Sequence, residues 1–146
     1  TALGTFPCAA QNTLLTVGRW LKVNGDAVYG ASRSPFGESF GDFGRKLFDG
    51  KGKAVYLPFL DWRCTAKPGK LYFTIFHWSS NGFKLPAFKN DIKKAYFLAD
   101  PDQKSLPITD VRGTRVVQMP HYAPDVMATV LVVEISGDKV VDTSEK

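Results

Sequence analysis

The hydrophobic period of this chain changes once, and that change narrows the folds open to it. Over Pro7–Asn24 the apolar residues return at helical spacing. Ala10, Leu14, Val17 and Leu21 form one stripe, which Leu15 and Trp20 widen. Pro7 suits a helix start, where a missing N–H costs nothing, and Asn24-Gly25 is expected to stop the helix with Gly in a left-handed conformation. Past Gly52 the period falls to two. Strands are expected over 54–59, 61–66, 71–78, 83–85, 92–98, 106–109, 115–119 and 129–135.

Turn residues divide these runs. Lys67-Pro68-Gly69-Lys70 has Pro and Gly in type II order, Asn81-Gly82 is a hairpin signal, and Gly113 starts another turn. The 71–78 run is apolar on both faces and is expected at the centre of a sheet. Glu134, inside the apolar run 129–135, is expected to point to solvent or to be paired there. Short strands at regular intervals, with no helix between them, specify a mostly β fold. The expected architecture is an antiparallel β-sandwich of about seven or eight strands preceded by one amphipathic helix. A wide apolar helix face needs cover, so the helix either docks on the sandwich or belongs to a larger neighbour.

Between helix and strands, glycines at 30, 37, 41, 44, 50 and 52 interrupt any period. Tyr29, Phe36, Phe40, Phe43 and Phe48 are expected to pin this stretch. The division is therefore 1–30 for the helix and its exit, 31–52 for a connector, 53–137 for the sandwich and 138–146 for a polar, frayed tail.

Composition excludes several classes of function. The formal net charge is +5, but the basic residues are scattered, with only Arg45-Lys46 and Lys93-Lys94 adjacent, so no nucleic-acid partner is expected. No apolar run approaches the roughly 18 residues that span a bilayer, so no membrane partner is expected. Thr1–Thr5 has no secretory character. Cys8 and Cys64 are too few for a disulfide framework and are expected to be free, buried thiols.

Searches for chemistry return little. His77 and His121 have no nucleophile motif beside them, and metal-ligand spacings are absent. No catalytic residue, metal or cofactor is expected. Asp100-Pro101-Asp102 reads as a solvated turn. Gly50-Lys51-Gly52-Lys53 lacks the spacing of a phosphate loop. Among Glu38, Asp42, Asp49, Asp61, Asp91 and Glu134, no pair can be placed across a cleft as glycoside hydrolysis requires. Of the three tryptophans, Trp20 and Trp62 are expected in the core. Trp78, beside His77 at the rim of the Asn81-Gly82 turn, is the one candidate for sugar stacking. Trp78 and His77 are therefore the candidate glycan contacts.

One family resemblance runs through the chain in order. Gly18, Trp20, Leu21 and Asn24-Gly25-Asp26-Ala27-Val28-Tyr29-Gly30 resemble the last catalytic-domain helix and exit segment of glycoside hydrolase family 29 α-L-fucosidases. Ser34-Pro35-Phe36, Trp62-Arg63-Cys64-Thr65, Lys67-Pro68-Gly69-Lys70-Leu71-Tyr72, Leu85-Pro86, 93–100, Ala123-Pro124-Asp125 and Ala128-Thr129-Val130 continue the likeness. The helix-exit motif is specific; the strand motifs alone are weak. Cys8 departs from the acidic residue often found at that helix start.

The resemblance implies a retaining hydrolase that releases terminal α-L-fucose from glycans, with an Asp nucleophile and a Glu acid/base on a (β/α)₈ barrel upstream of this region. It makes 1–30 the last helix and exit of that barrel. The implied partners are the catalytic barrel of the same protein, a fucosylated glycan as the parent's substrate, and a second copy of the chain through the helix face. The parent would be secreted, periplasmic or lysosomal. This chain, lacking both acids, is expected to be a non-catalytic region that stabilises the barrel and shapes its cleft or an oligomer contact. The alternative is a stand-alone carbohydrate-binding module for fucosylated glycans.

Overall fold

A computed structural model describes residues 4, 6–37, 47–48, 51, 54–55 and 61–141. Helix α1 runs Cys8–Asn24, and a single 3₁₀ turn follows at Gly25–Ala27. Pro7 stands just ahead of the helix, and its carbonyl accepts the Gln11 N–H at 3.0 Å. Thr13 and Thr16 fold their hydroxyls back onto the carbonyls of Ala9 and Asn12, at 3.0 and 2.8 Å. Those contacts occupy the polar atoms of residues that otherwise compete with a helix.

Gly25 is not left-handed, contrary to expectation. Its φ is −60°, and the chain tightens into the 3₁₀ turn instead. A Cβ there would lie 2.9 Å from the exposed Tyr29 ring, which would have to move aside. The left-handed position falls at Gly30, with φ +67°.

The strands are β1 (Ser32–Arg33), β2 (Leu47–Phe48), β3 (Ala54–Val55), β4 (Trp62–Lys67), β5 (Lys70–Ile75), β6 (Phe83–Lys84), β7 (Ile92–Phe97), β8 (Ile108–Val111), β9 (Thr114–Val117) and β10 (Thr129–Ile135). Five of them make one sheet in the order β1-β4-β5-β10-β7, and three make a second in the order β6-β9-β8. All pairings are antiparallel. Strands β2 and β3 form a separate ribbon. Eight strands in two sheets with a shared core make the expected sandwich. Of the expected 54–59 strand, residues 56–59 lie outside the described residues. Strand β1 lies inside the stretch read as a connector.

The core explains the alternation in the sequence. Trp62, Cys64, Leu71, Phe73, Ile75, Ala95, Phe97, Leu131, Val133 and Ile135 point inward from the large sheet onto Phe83 and Val117 of the small one. Phe73 is at its centre, with ring centroids 5.2 Å from Phe83, 5.3 Å from Trp62 and 6.0 Å from Phe36. Phe36 thus does pin the stretch after the helix, whereas Tyr29 is exposed. Phe40 and Phe43, and the side chain of Phe48, lie outside the described residues. The outward residues of β5 and β10 are buried too, except Lys70, Thr74 and Glu134, which are half-buried. Tyr72, Tyr96, Val130 and Val132 form a second cluster on the outer face with Ala27, against which Trp20 and Leu98 pack. Both strands are central and covered on both sides, so their sequences read as nearly continuous apolar runs.

The turns divide by mechanism. Lys67 pairs with Lys70 across the expected tight turn, where Gly69 has φ +72°. Asn81-Gly82 is not a hairpin. Strand β5 pairs with β4 and β10 while β6 pairs with β9, so 76–82 crosses from one sheet to the other. Gly82, at φ +96°, is needed because a Cβ would lie 2.6 Å from Val116 Cγ1. The hairpin between β8 and β9 turns on Arg112 and Gly113, both at positive φ (53° and 80°), as a type I′ turn demands. Asp110 Oδ1 accepts the Gly113 N–H there at 2.8 Å.

Residues 138–141 are held, contrary to the expectation of a frayed tail. The buried Asn90 side chain donates to the carbonyls of Ser136 and Lys139 and accepts the Val141 N–H, at 2.7, 2.9 and 2.7 Å. Arg115, on β9, lies 3.9 Å over the Phe88 ring and donates to the carbonyls of Asn90 and Phe88. Burial lowers the Arg115 pKa, the direction expected for a cation removed from water.

Candidate functional site

The most developed polar arrangement lies where the helix leaves for the sheet. Trp20, in the last turns of α1, donates its indole N–H to the Ala128 carbonyl at 2.8 Å. Asn24, Gly25 and Ala27 are buried against the outer face. Thr65 donates its hydroxyl to the Ala27 carbonyl at 2.5 Å. Between them Asp26 accepts from the Tyr72 phenol on one oxygen and Lys67 Nζ on the other, both at 2.5 Å. The hydrogen bonds from Lys67 and then Tyr72 hold the Asp26 carboxyl below its usual range. Burial, then Asp26, pushes the Tyr72 phenol up.

A second node lies on the same sheet face. Glu134 pairs with Lys70 at 3.2 Å and accepts from the Tyr96 hydroxyl at 3.2 Å. Burial opposes ionisation of Glu134, but Lys70 and Tyr96 outweigh it and its pKa is lowered. Glu134 holds Lys70 ionised in return and raises its pKa. The expectation that Glu134 is paired holds. The Asp26–Tyr72 contact was not anticipated. Its signal is a tyrosine inside an apolar strand, because a buried phenol needs a partner.

Trp78 and His77 are adjacent at the exit of β5. His77 is exposed and its backbone N–H donates to the Asp61 carbonyl at 3.2 Å. Trp78 is half-buried, packs 5.9 Å from Phe97 between ring centroids, and donates its indole N–H to the Pro120 carbonyl at 3.2 Å. The indole N–H is thereby spent on the fold. Next to Pro120, His121 and Tyr122 make an edge-to-face pair at 4.6 Å, and Tyr122 is 80% exposed. Trp62 is in the core, as expected; Trp20 is half-buried at the helix junction and packs on the outer-face cluster instead of lying in the core.

A further exposed surface carries several apolar residues. The N-terminal half of α1 overhangs the sandwich, leaving Leu14 55% and Val17 41% exposed. Cys8 is exposed for the same reason, against the expectation of burial; Cys64 is buried and its thiol is pushed up to about 12 by burial. Asn12, Thr13, Thr16 and Val17 share a shallow groove with Met127. Met127 belongs to a tip fixed by Asp125, whose carboxylate accepts the Met127 N–H at 2.8 Å. Thr129 Oγ1 closes that tip onto the Asp125 backbone. Val126 is 98% exposed at its apex. A tip ordered by side-chain hydrogen bonds therefore presents an uncovered apolar residue beside an uncovered helix face.

Several of the described acids are engaged in the fold. Asp26 and Glu134 are held in the two nodes, while Asp100, Asp110 and Asp125 cap turns through backbone N–H groups. Asp100 also accepts the Lys104 N–H at 2.9 Å, as a solvated Asp-Pro turn should. Glu38, Asp42 and Asp49 lie outside the described residues. No group of His, Cys, Asp or Glu among the described residues is placed to hold a metal ion. No helix among them is long and apolar enough to cross a membrane.

Comparison with solved structures gives the fold a context. The chain is similar to α-L-fucosidase isoenzyme 1 from Paenibacillus thiaminolyticus, with a TM-score of 0.63 and 24% identity over 91% of this chain. It is also similar to a bacterial fucosidase solved with a dihydroxymethylpyrrolidinyl triazole inhibitor, with a TM-score of 0.59 and 15% identity over 98% of this chain. In both cases the chain spans 28% of the length of the fucosidase. No protein-family model matches the chain, and no curated protein sequence matches it. The likeness establishes a helix-plus-sandwich fold shared with part of these two fucosidases.

Proposed function

We propose that this chain is the non-catalytic C-terminal β-sandwich region of a retaining α-L-fucosidase that releases terminal α-L-fucose from glycans. The observation that carries the reading is the lopsided coverage, nearly all of this chain against 28% of each fucosidase. In this reading 1–30 is the last helix and exit segment of a (β/α)₈ barrel. Residues 31–52 connect it to the sandwich of 53–137, and a polar tail follows at 138–146. The uncovered helix face, with Leu14 and Val17, is the surface the barrel covers. The sandwich stabilises the barrel from that side and contributes to the shape of its cleft or to contact with a second copy. The test is direct. The chain alone gives no turnover of 4-nitrophenyl α-L-fucoside, and turnover above a buffer blank overturns the assignment.

A second reading is a carbohydrate-binding module for fucosylated glycans. It is favoured by the rings gathered at the β5 exit, Trp78 with exposed His77, and Tyr122 beside His121. Calorimetric titration with fucosylated oligosaccharides separates the two. Saturable heat that Trp78→Ala abolishes supports the module; its absence supports the accessory region.

A further inference from the structure

We infer that Asp26 is a positioning residue that fixes the direction of helix α1, making the helix a rigid arm of the sandwich. This goes beyond the proposed function and does not depend on it. Among the described residues, the hydrogen bonds that tie the helix to the sandwich lie at its C-terminal end. Trp20 is bonded to the Ala128 carbonyl, while Cys8, Ala9 and residues 11–15 are exposed. A single attachment at Trp20 lets the arm swivel about that point. A second attachment, six residues further along the chain, removes the swivel. At the ~1.5 Å rise of a helical residue it lies roughly 9 Å away. Asp26 supplies it.

The chemistry suits that role. Each carboxylate oxygen of Asp26 takes a donor from a different strand, Lys67 on β4 and Tyr72 on β5. Tyr72 is itself immobile, 1% exposed in the outer-face cluster. Lys70 is the other charged group whose field acts on Asp26. Thr65 holds the neighbouring Ala27 carbonyl, so the exit turn is stitched on both sides of the carboxylate. An amide at 26 offers one acceptor where two are used, and a longer acid moves both oxygens out by a methylene.

Distances between spin labels measure the arm directly. Native Cys8 is exposed and takes a nitroxide, Cys64 is buried, and Val111→Cys on the second sheet supplies the partner site. The unmodified helix gives one narrow distance distribution. Asp26→Asn and Tyr72→Phe each broaden it and remove its single maximum. A control pair inside the sandwich, Val111→Cys with Tyr122→Cys on Cys8→Ser, stays narrow in both. If Asp26→Asn does not fold, Lys67→Met carries the same comparison by removing one donor. Three results overturn the inference: a broad distribution with Asp26 intact, unchanged distributions in the variants, or equal broadening of the control pair.

Discussion

The two faces of the large sheet are both buried, yet they are closed by different means. The inner face is closed by rings and aliphatic side chains: Phe73, Trp62, Phe83 and Phe36 meet without a polar contact between them. The outer face is closed by the end of a helix, and polar bonds set its position: Trp20 to Ala128, Thr65 to Ala27, and Asp26 to Tyr72 and Lys67. Apolar contact supplies free energy without direction, whereas hydrogen bonds are modest in net energy but specific in geometry. The inner face therefore sets whether the sandwich exists, and the outer face sets where the helix points.

That contrast breaks first at Phe73. Phe73→Ala removes a ring that is 0% exposed and is expected to cost about 3–5 kcal/mol, read from urea unfolding. A cost below ~1 kcal/mol would place the core elsewhere. Gly82→Ala comes next, at about 2–3 kcal/mol, since it adds an unfavourable positive φ to a Cβ 2.6 Å from Val116. The first strikes the contact between the sheets, the second the β6–β9 pairing within the small sheet.

Trp20→Phe sharpens the other side. It keeps most of the ring and loses the bond to Ala128, for about 1 kcal/mol. Hydrogen exchange should quicken in α1 while β5 and β10 stay protected. Uniform loss of protection would show that the faces are not separable.

Acid gives a smaller, graded effect. Asp26 and Glu134 have lowered folded pKa values, so their contribution is complete above the unfolded carboxylate range and is lost as pH falls through the folded values. Lys70, raised, contributes fully below the ordinary lysine value and loses its contribution as pH climbs through its folded pKa. Thermal melts of Asp26→Asn against the parent chain should differ most near neutrality and converge as pH falls through the folded Asp26 value. A constant difference would contradict the pairing. The smallest change is a gain. Arg112→Asn relieves a non-glycine residue at φ 53° and should add roughly 0.5–1 kcal/mol in the same melts.

How far the sequence foretold these faces follows from the same physics. Period alone revealed β4, β5, β7 and β10, because a strand must be apolar wherever it is covered. Pro68-Gly69 revealed a turn because that turn is local. Asn81-Gly82 misled, since the space a Cβ would need at Gly82 is taken by Val116, a residue more than thirty positions away. Gly25 misled similarly, its space being taken by Tyr29. The Asp26 clamp was hidden for the opposite reason. Nothing in its own neighbourhood distinguishes it, and its partners lie on two strands. Trp78 could be located at a rim by its neighbours, but only the fold shows that Pro120 occupies its indole N–H.

The stitching of 136–141 to Asn90 has a mechanical consequence. Tension applied beyond Val141 reaches the three Asn90 side-chain bonds and the Lys89 N–H bond to the Val141 carbonyl before it reaches β10. Arg115 ties the backbone at 88 and 90 to the second sheet, so part of that load passes into β9. A load from that end therefore meets the bonds of Asn90 and Arg115 before it meets the central strand.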